Sequence, residues 1–351
     1  MKKVLIVALI FICSVQAKVT TKEILKVKDI VWGFDFIDSK TIIATLKDGE
    51  VIKYDLETKK LSNLNPPKVR LGGQGGLLDI RFHVVGKVPY VYYTFSKKTG
   101  DTVVTALGRA KYEKENLVNH ETIFESKIHS STSRHFGSRI SFVEDSIYMT
   151  IGDRGERDYA QKLDYHNGKI LRLTLNGKPH PDNPFLKTKN ALPEIWSYGH
   201  RNPQGIYFDK ETKKLYSSEF GPRGGDEFNL IKKGLNYGWP VITYGKEYWG
   251  PSIGDEKKEG MEQPIVHWTP SISPSGLTKY TGDKNSKWKG SFFLASLGST
   301  HLRRVVLKND KAIAQESLLE NLDERIRQVR TGLDGNLYIS TDSGKILTVH
   351  Q

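Results

Sequence analysis

Cysteine is almost absent from this chain of 351 residues, which has a single one, Cys13. Because Cys13 lies in a segment that we predict to be removed, the remaining chain is expected to have no disulfide bond, and packing must provide its stability. No cysteine and histidine set is spaced as in zinc or haem sites. The absence of cysteine therefore excludes the small disulfide-rich folds and most zinc-binding modules.

A hydrophobic run long enough to span a membrane is also missing. The chain begins Met-Lys-Lys, continues with apolar residues from Val4 to Ile12, and reaches small residues at Ser14–Ala17. A membrane-spanning helix needs about 20 apolar residues, so this run is too short. Its layout is that of a secretory signal peptide. We predict a signal peptide over 1–17, no integral membrane anchor, and a periplasmic or secreted protein.

Convincing helical periodicity is absent as well, whereas short β-rich runs separated by Gly, Asp, Asn and Lys are frequent. One pattern, a β-rich run followed by a turn and a second strand, recurs six times at intervals of 45 to 77 residues. The copies start near Ile42, Val91, Ile147, Leu215, Phe292 and Leu337. Blades of about 40–50 residues with loop insertions are typical of propellers. The sequence predicts an all-β, six-bladed β-propeller forming one domain over 18–351; a β-sandwich would not explain six copies.

The distribution of charge and the absence of several motifs narrow the possible functions. The formal net charge is +13, but the lysines are scattered over predicted turns, which favours a solvated surface and no nucleic-acid partner. No glycine-rich strand-to-helix motif indicates a nicotinamide-binding fold, and no nucleophile elbow indicates a serine hydrolase. The largest insertions, Asp164–Pro193 and Tyr244–Pro274, are expected to lie at one end of the propeller axis and to carry functional residues.

Polar residues cluster in glycine-rich segments between the predicted strands. His135 could act as a general base, because its ordinary pKa lies near neutrality. Arg201, Arg325 and Arg327 could bind carboxylates, and the Gly221-Pro222 turn could offer carbonyl oxygens to calcium. Asn202, Gln204 and Gln74 could bond to sugar or carbonyl oxygens. Each cluster taken alone favours a structural explanation, such as a turn or the exposed face of an edge strand, over a functional one.

Taken in order, the clusters resemble a known family, the soluble pyrroloquinoline-quinone (PQQ)-dependent aldose dehydrogenases of the glucose/sorbosone type. The resemblance covers nearly the whole chain after residue 17, and the ordered set is specific although no single member is. The matching segments are Gly72-Gly-Gln-Gly-Gly-Leu-Leu78, Arg134-His-Phe-Gly-Ser-Arg139, Ile151-Gly-Asp-Arg-Gly155, Gly199-His-Arg-Asn-Pro-Gln-Gly205, Ser218-Glu-Phe-Gly-Pro222 with Asp226-Glu227, Asn236-Tyr-Gly-Trp-Pro240 and Arg325-Ile-Arg327.

The resemblance implies an enzyme that oxidises aldose sugars at C1 to lactones and passes the electrons to an external acceptor. It implies that His135 is the general base and that Arg201 stabilises the reduced quinone. Arg201, Asn202, Arg325 and Arg327 would bind PQQ, while Gly221 and Pro222 would give backbone carbonyls to a calcium ion. Gln74 and Asp153 would line the sugar side of the site. The calcium contact would rest on backbone oxygens in preference to the carboxylates of Glu219, Asp226 and Glu227.

The chain departs from the family pattern at two places. Gly298 stands where the glucose dehydrogenase branch has a lysine that contacts the quinone, and the aromatic substrate loop is matched only loosely by residues 267–275. One cationic cofactor contact is therefore expected to be missing, and the preferred sugar cannot be carried over. Two other functions remain open: a non-enzymatic propeller that binds a glycan or protein, and a calcium-dependent lactone hydrolase with carboxylates at the axis.

Overall fold

The computed structural model describes residues 18–130 and 132–351. The predicted signal peptide at 1–17, with Cys13, lies outside the described residues. Within them, 24 strands form six antiparallel four-stranded sheets, joined by loops and one short 3-10 helix at Arg157–Gln161. The predicted all-β class and six-bladed propeller are confirmed. No helix in the described ranges is long and apolar enough to cross a membrane.

Each blade is a meander of four strands, with the first strand nearest the axis and the fourth at the outside. Blade 1 contains β2 (Val31–Phe36), β3 (Thr41–Leu46), β4 (Val51–Asp55) and β5 (Leu61–Leu64). Blade 2 contains β6 (Leu77–Val85), β7 (Val88–Thr99), β8 (Thr102–Glu113) and β9 (Asn116–Glu125). Blade 3 contains β10 (Ile140–Val143), β11 (Ser146–Ile151), β12 (Lys169–Thr174) and β13 (Ile195–Tyr198).

The second half of the ring repeats this plan. Blade 4 contains β14 (Pro203–Asp209), β15 (Lys214–Glu219), β16 (Asp226–Ile231) and β17 (Val266–Trp268). Blade 5 contains β18 (Pro274–Lys279), β19 (Phe292–Ser296), β20 (Leu302–Lys308) and β21 (Lys311–Leu318). Blade 6 contains β22 (Ile326–Thr331), β23 (Leu337–Thr341), β24 (Lys345–His350) and β1 (Thr20–Lys26).

The ring is closed by pairing the two ends of the propeller in blade 6. Strand β1 is its outermost strand and pairs antiparallel with β24, from Thr20 opposite His350 to Lys26 opposite Lys345. Between blades, apolar faces pack on one another; Phe34 and Phe36 of blade 1, for example, share a cluster with Tyr338 of blade 6. The innermost strand of each blade is an edge that faces the axis, so closure leaves only short, protected inner edges, which accounts for a stable fold without disulfides.

One buried arginine, Arg139, occupies the propeller axis and bonds to all five other blades. Its guanidinium donates to the carbonyls of Trp32, Gln204 and Arg327, to Asp79 Oδ1 and to Ser275 Oγ, at 2.7–3.3 Å. It also stacks on the Trp32 ring, 4.0 Å from the centroid. Burial lowers the pKa of Arg139 to about 10, opposed by the charge of Asp79. Arg139 therefore closes the central channel and fixes the inner strands relative to one another.

Candidate active site

The site residues meet because they occupy equivalent positions in the repeat. Each lies just before the innermost strand of a blade, at its start, or just after the second strand. Since neighbouring strands in a blade are antiparallel, these positions all reach the same face of the propeller. Gln74 precedes β6, His135 precedes β10, and Arg201 precedes β14. Residues far apart in the chain are thereby brought to one end of the axis.

A cavity of about 600 Å³ lies on the axis at this face, and all six blades line it. Its polar side chains are mostly cations and amides, and none of its lining residues, all within the described ranges, is an aspartate or glutamate. Those that were predicted from the sequence are Gln74, His135, Arg201, Asn202, Gln204, Gly221, Arg325 and Arg327. The cavity suits an anionic ligand, and the missing carboxylates disfavour the lactone hydrolase.

A second cavity of about 320 Å³ adjoins the first one, and Gln74, His135, Arg201 and Tyr248 border both. Asp153 and Pro222, which were predicted as a substrate and a metal contact, line this second cavity. His135 thus faces both compartments. The arrangement can hold a flat ligand in one cavity and a smaller reactant in the other, with an imidazole between them.

Local backbone geometry presents His135 to the cavities. Its φ is +55°, in the left-handed region that histidine enters more readily than most residues. The Gln74 side-chain oxygen accepts a bond from the His135 backbone N–H at 2.7 Å. Gly152 packs against the same loop so closely that a Cβ there would stand 2.1 Å from the His135 carbonyl oxygen. The segment therefore requires glycine at 152 and an amide at 74 to hold the imidazole in place.

The partly buried His135 and the buried Asp153 form a hydrogen-bonded pair. The His135 Nδ1 to Asp153 Oδ1 distance is 2.7 Å, and the aspartate side chain is 2% exposed. Burial raises the pKa of Asp153, but the hydrogen bond and charge of His135 and the charge of Arg201 lower it overall. Burial lowers the pKa of His135 from its usual 6.5, although Asp153 opposes this. A neutral imidazole that donates from Nδ1 to an ionised carboxylate keeps the Nε2 lone pair free to accept a proton.

The arginines are held by different partners. Arg325 and Arg327 share the carboxylate of Asp342, with their Nε atoms 2.9 Å and 2.8 Å from its two oxygens. Two guanidinium groups on one carboxylate leave an excess of one positive charge beside the first cavity. Arg201 donates to the Phe220 carbonyl at 3.2 Å, and Asn202 Oδ1 accepts from the Gly137 N–H at 3.2 Å.

The three acidic residues around the Gly221-Pro222 turn are engaged with protein donors. Asp226 Oδ1 accepts from the Gly221 N–H at 2.8 Å, and Oδ2 accepts from three donors of 271–273. Glu219 accepts from His200 Nδ1 and from the Arg201 N–H. Burial and the charge of Glu219 raise the pKa of Glu227 to about 8. Among the described residues no cluster of three acidic, cysteine or histidine side chains could hold a metal ion, so a cation at the turn would rely on backbone oxygens.

Several site residues gave no signal in the sequence. Trp32, Lys47, Arg223 and Tyr248 line the first cavity. Trp239 lines the second cavity; it lies in the matched segment Asn236–Pro240, but the sequence assigned it no role. Lys47 lies in a hairpin turn, where a lysine normally indicates only a solvated surface. It supplies a cation from blade 1, whereas Gly298 in blade 5 offers none. Of the two long insertions, 244–274 contributes Glu247, Tyr248, Ile253, Ser271 and Ser273, while no residue of 164–193 lines either cavity.

Comparison with known proteins supports the family resemblance that the sequence motifs indicate. Residues 28–348 match the family Glucose / Sorbosone dehydrogenase. An aldose sugar dehydrogenase of Escherichia coli is 36% identical over 342 residues, covering 93% of this chain and 92% of that protein. Quinoprotein glucose dehydrogenase B of Acinetobacter calcoaceticus is 27% identical over 412 residues, covering 93% and 85% of the two chains.

A solved structure is also similar over most of its length. The PQQ-bound form of the aldose sugar dehydrogenase of Streptomyces coelicolor aligns with a TM-score of 0.76 at 28% identity, covering 95% of this chain and 99% of that chain. The resemblance predicted from the ordered sequence motifs is therefore confirmed, and the chain belongs to the glucose/sorbosone dehydrogenase family.

Proposed function

We propose that this protein is a quinoprotein oxidoreductase that oxidises aldose sugars at C1 to lactones. The observation that carries the proposal is the His135–Asp153 pair at the boundary between an arginine-rich axial cavity and a second cavity. Relatives named aldose sugar dehydrogenase and quinoprotein glucose dehydrogenase support the reaction class. An external electron acceptor would complete the cycle, and a periplasmic or secreted location is proposed with it.

PQQ, a flat tricarboxylate, fits the first cavity. The cavity combines a volume of about 600 Å³ with cationic side chains and no lining carboxylate among the described residues. Arg201, Asn202, Arg325 and Arg327 are proposed to hold the cofactor. Arginine binds carboxylates with bidentate geometry, and Asp342 already orients Arg325 and Arg327. Lys47 from blade 1 provides a further cation, which would offset the lysine replaced by Gly298.

Calcium would be bound by the carbonyl oxygens of Gly221 and Pro222. The Pro222 carbonyl accepts one hydrogen bond, from the Lys246 N–H at 2.9 Å, and retains a second lone pair. Gly221 lines the first cavity and Pro222 the second, so a cation at this turn would lie at the boundary of the two. Calcium takes six to eight oxygen ligands, so the cofactor and water would have to supply the rest.

When bound, the quinone would supply the hydride acceptor and calcium would polarise it as a Lewis acid. His135 Nε2 would take the proton of the sugar C1 hydroxyl as general base. Asp153 would stay ionised, hold the Nδ1–H tautomer and stabilise the imidazolium that forms. Arg201, buried beside the first cavity, would stabilise developing negative charge, and Gln74 would contact the sugar.

Asp153 was expected from the sequence to line the sugar side of the site. It does line the second cavity, but both its oxygens accept hydrogen bonds from the protein. The geometry therefore favours a role in orienting His135 over a direct contact with sugar.

The proposal is tested by titrating the calcium-loaded apoprotein with PQQ, followed by an assay of aldose oxidation with an artificial electron acceptor. Saturable binding at one equivalent and oxidation of at least one member of a panel of mono- and disaccharides are expected. Absence of quinone binding would favour the non-enzymatic propeller. Quinone binding without oxidation of any sugar would refute the proposed substrate class.

A further inference from the structure

Trp239 belongs to the segment Asn236–Pro240, which matches a family motif but has no role in the mechanism above. The residue is rigidly held. Its backbone N–H donates to the Gly199 carbonyl at 2.9 Å, and its own carbonyl accepts from Gln161 Nε2 at 2.7 Å. The residue is 7% exposed and lines the second cavity. A large aromatic side chain is thus fixed directly beside the proposed reacting groups.

The Trp239 ring contacts the carboxylate that bonds His135 and also contacts Arg201. Its indole Nε1–H donates to Asp153 Oδ2 at 2.8 Å, and this contact is buried. Its face lies under the Arg201 guanidinium, with 5.4 Å between Arg201 Cζ and the ring centroid, which is within the range of a cation–π contact. One side chain therefore joins the carboxylate behind the base to the arginine beside the first cavity.

The indole bond completes the set of donors around the Asp153 carboxylate. Oδ1 accepts from His135 Nδ1 at 2.7 Å and from the Gly155 N–H at 2.8 Å, while Oδ2 accepts from Trp239. With both oxygens engaged, the plane of the carboxylate is fixed and Oδ1 remains directed at His135. Without the indole N–H, Oδ2 would be a buried charged oxygen lacking a donor, and the carboxylate could rotate away from the imidazole.

We propose that Trp239 is a positioning residue that fixes the Asp153 carboxylate and thereby the tautomer of His135. The catalytic consequence rests on the proposed function, since it assumes that His135 Nε2 accepts the C1 hydroxyl proton. The structural claim does not, because it concerns a hydrogen bond that is present without cofactor or substrate. The two claims can therefore be tested separately.

The structural claim is tested on the apoprotein by 15N NMR of the His135 ring. In the native protein we expect the neutral Nδ1–H tautomer, with Nε2 unprotonated. Trp239→Phe keeps an aromatic ring but removes the donor, so an added population of the Nε2–H tautomer is expected. Trp196→Phe is the matched control, because the Trp196 Nε1 is buried without a hydrogen-bond partner among the described residues. An unchanged His135 tautomer in a folded Trp239→Phe protein overturns the proposal.

A second measurement does not depend on the folding of Trp239→Phe. The Trp239 indole N–H signal of native protein is compared with that of Asp153→Asn, which replaces the charged acceptor. We expect this signal to move upfield while the other indole signals stay in place. No change at Trp239 would contradict the hydrogen bond and with it the proposal.

The catalytic consequence is tested by steady-state kinetics of the protein loaded with PQQ and calcium. Trp239→Phe is expected to lower kcat by about tenfold or more, within the roughly 100- to 10,000-fold that general base catalysis contributes. KM should change little, and Trp196→Phe should match the native protein. In an Asp153→Asn background the Trp239→Phe change should have almost no further effect, because both act through one carboxylate. Fully additive effects of the two substitutions on kcat would overturn the proposal. If the native protein oxidises no aldose, the proposed function is refuted, and the NMR experiments alone then decide whether Trp239 positions Asp153.

Discussion

At the scale of single residues, the reactivity of His135 depends on its surroundings. The imidazole is held by a left-handed backbone, by a hydrogen bond from the His135 backbone N–H to Gln74 Oε1, and by a buried carboxylate. Its pKa is lowered from 6.5 chiefly by burial, and Asp153 works in the opposite direction. His135 is thus neutral near neutral pH, the state that a base requires. Because Asp153 raises the pKa of His135, it influences the pH below which the imidazole becomes protonated.

Asp153→Asn tests this balance through the pH profile of kcat/KM. A neutral His135 is required, so activity should fall as pH drops through its pKa. Asp153 raises that pKa, and its removal should move the acid limb to lower pH. The plateau should also fall by about 100- to 10,000-fold, because an asparagine no longer enforces the Nδ1–H tautomer.

The control for this prediction is Asp342→Asn, which alters a carboxylate that bonds Arg325 and Arg327 instead of His135. It should change quinone affinity and leave the acid limb in place. An Asp153→Asn profile with the native plateau and acid limb would show that Asp153 has no influence on the base.

Residues with distinctive chemistry in glycine-rich segments could be predicted from the sequence. His135, Arg201, Asn202, Arg325 and Arg327 all line the first cavity. The contributions of Lys47, Trp239 and Tyr248 could not be predicted, because they depend on where a hairpin turn and a long insertion come to lie in the closed ring. Local sequence carries no information on that placement.

At the scale of elements, the insertion between β16 and β17 forms one wall of the site. Arg157 Nη1 binds Glu247 Oε1 at 2.6 Å, and Arg223 donates to the Tyr248 carbonyl at 2.8 Å. Tyr248 borders both cavities and is 68% exposed. The position of this wall thus depends on one partly exposed ion pair and one hydrogen bond to the backbone instead of on a hydrophobic core.

Glu247→Gln should loosen this wall and raise KM for the sugar with little change in kcat. A rise of about two- to fivefold is expected, because an ion pair near the surface is screened by solvent and contributes little. Glu262→Gln is the matched control, since Glu262 pairs with Lys232 in the same insertion and lines neither cavity. Steady-state kinetics checks this, and equal KM values for both variants would contradict a role for the ion pair.

The repeat pattern was visible because the second strand of each blade is buried and therefore apolar. All six predicted starting points, from Ile42 to Leu337, fall in the second strands of the blades. The outer strands were harder to predict, since they are half exposed; β9 and β21 carry many polar residues. The pairing of β1 with β24 joins residues near both ends of the chain, which no local pattern indicates.

At the scale of the whole molecule, Arg139 links the stability of the ring to the geometry of the site. Its guanidinium bonds the carbonyls of Gln204 and Arg327, and the side chains of both residues line the first cavity. The sequence placed Arg139 in a family motif but did not indicate that it lies on the axis. Only closure of six blades around one point brings its acceptors together.

Arg139→Met should lower the free energy of unfolding by about 3–5 kcal/mol, since it removes one partner of a buried ion pair and leaves carbonyls unbonded. Chemical denaturation measures this loss. Arg303→Met is the control, because the buried Arg303 Nε has no hydrogen-bond partner among the described residues, and a loss below about 1 kcal/mol is expected there. Equal stability of the two variants would contradict the axial role of Arg139.

The central claim is that the protein removes a hydride from sugar C1 while His135 accepts the hydroxyl proton. It is tested most directly by single-turnover reduction of the bound quinone with C1-deuterated and ordinary aldose, in native protein and in His135→Ala. The account predicts a primary isotope effect in native protein and loss of reduction in the variant, with quinone still bound at one equivalent. Reduction by His135→Ala at the native rate, or no isotope effect on the chemical step in native protein, would contradict it.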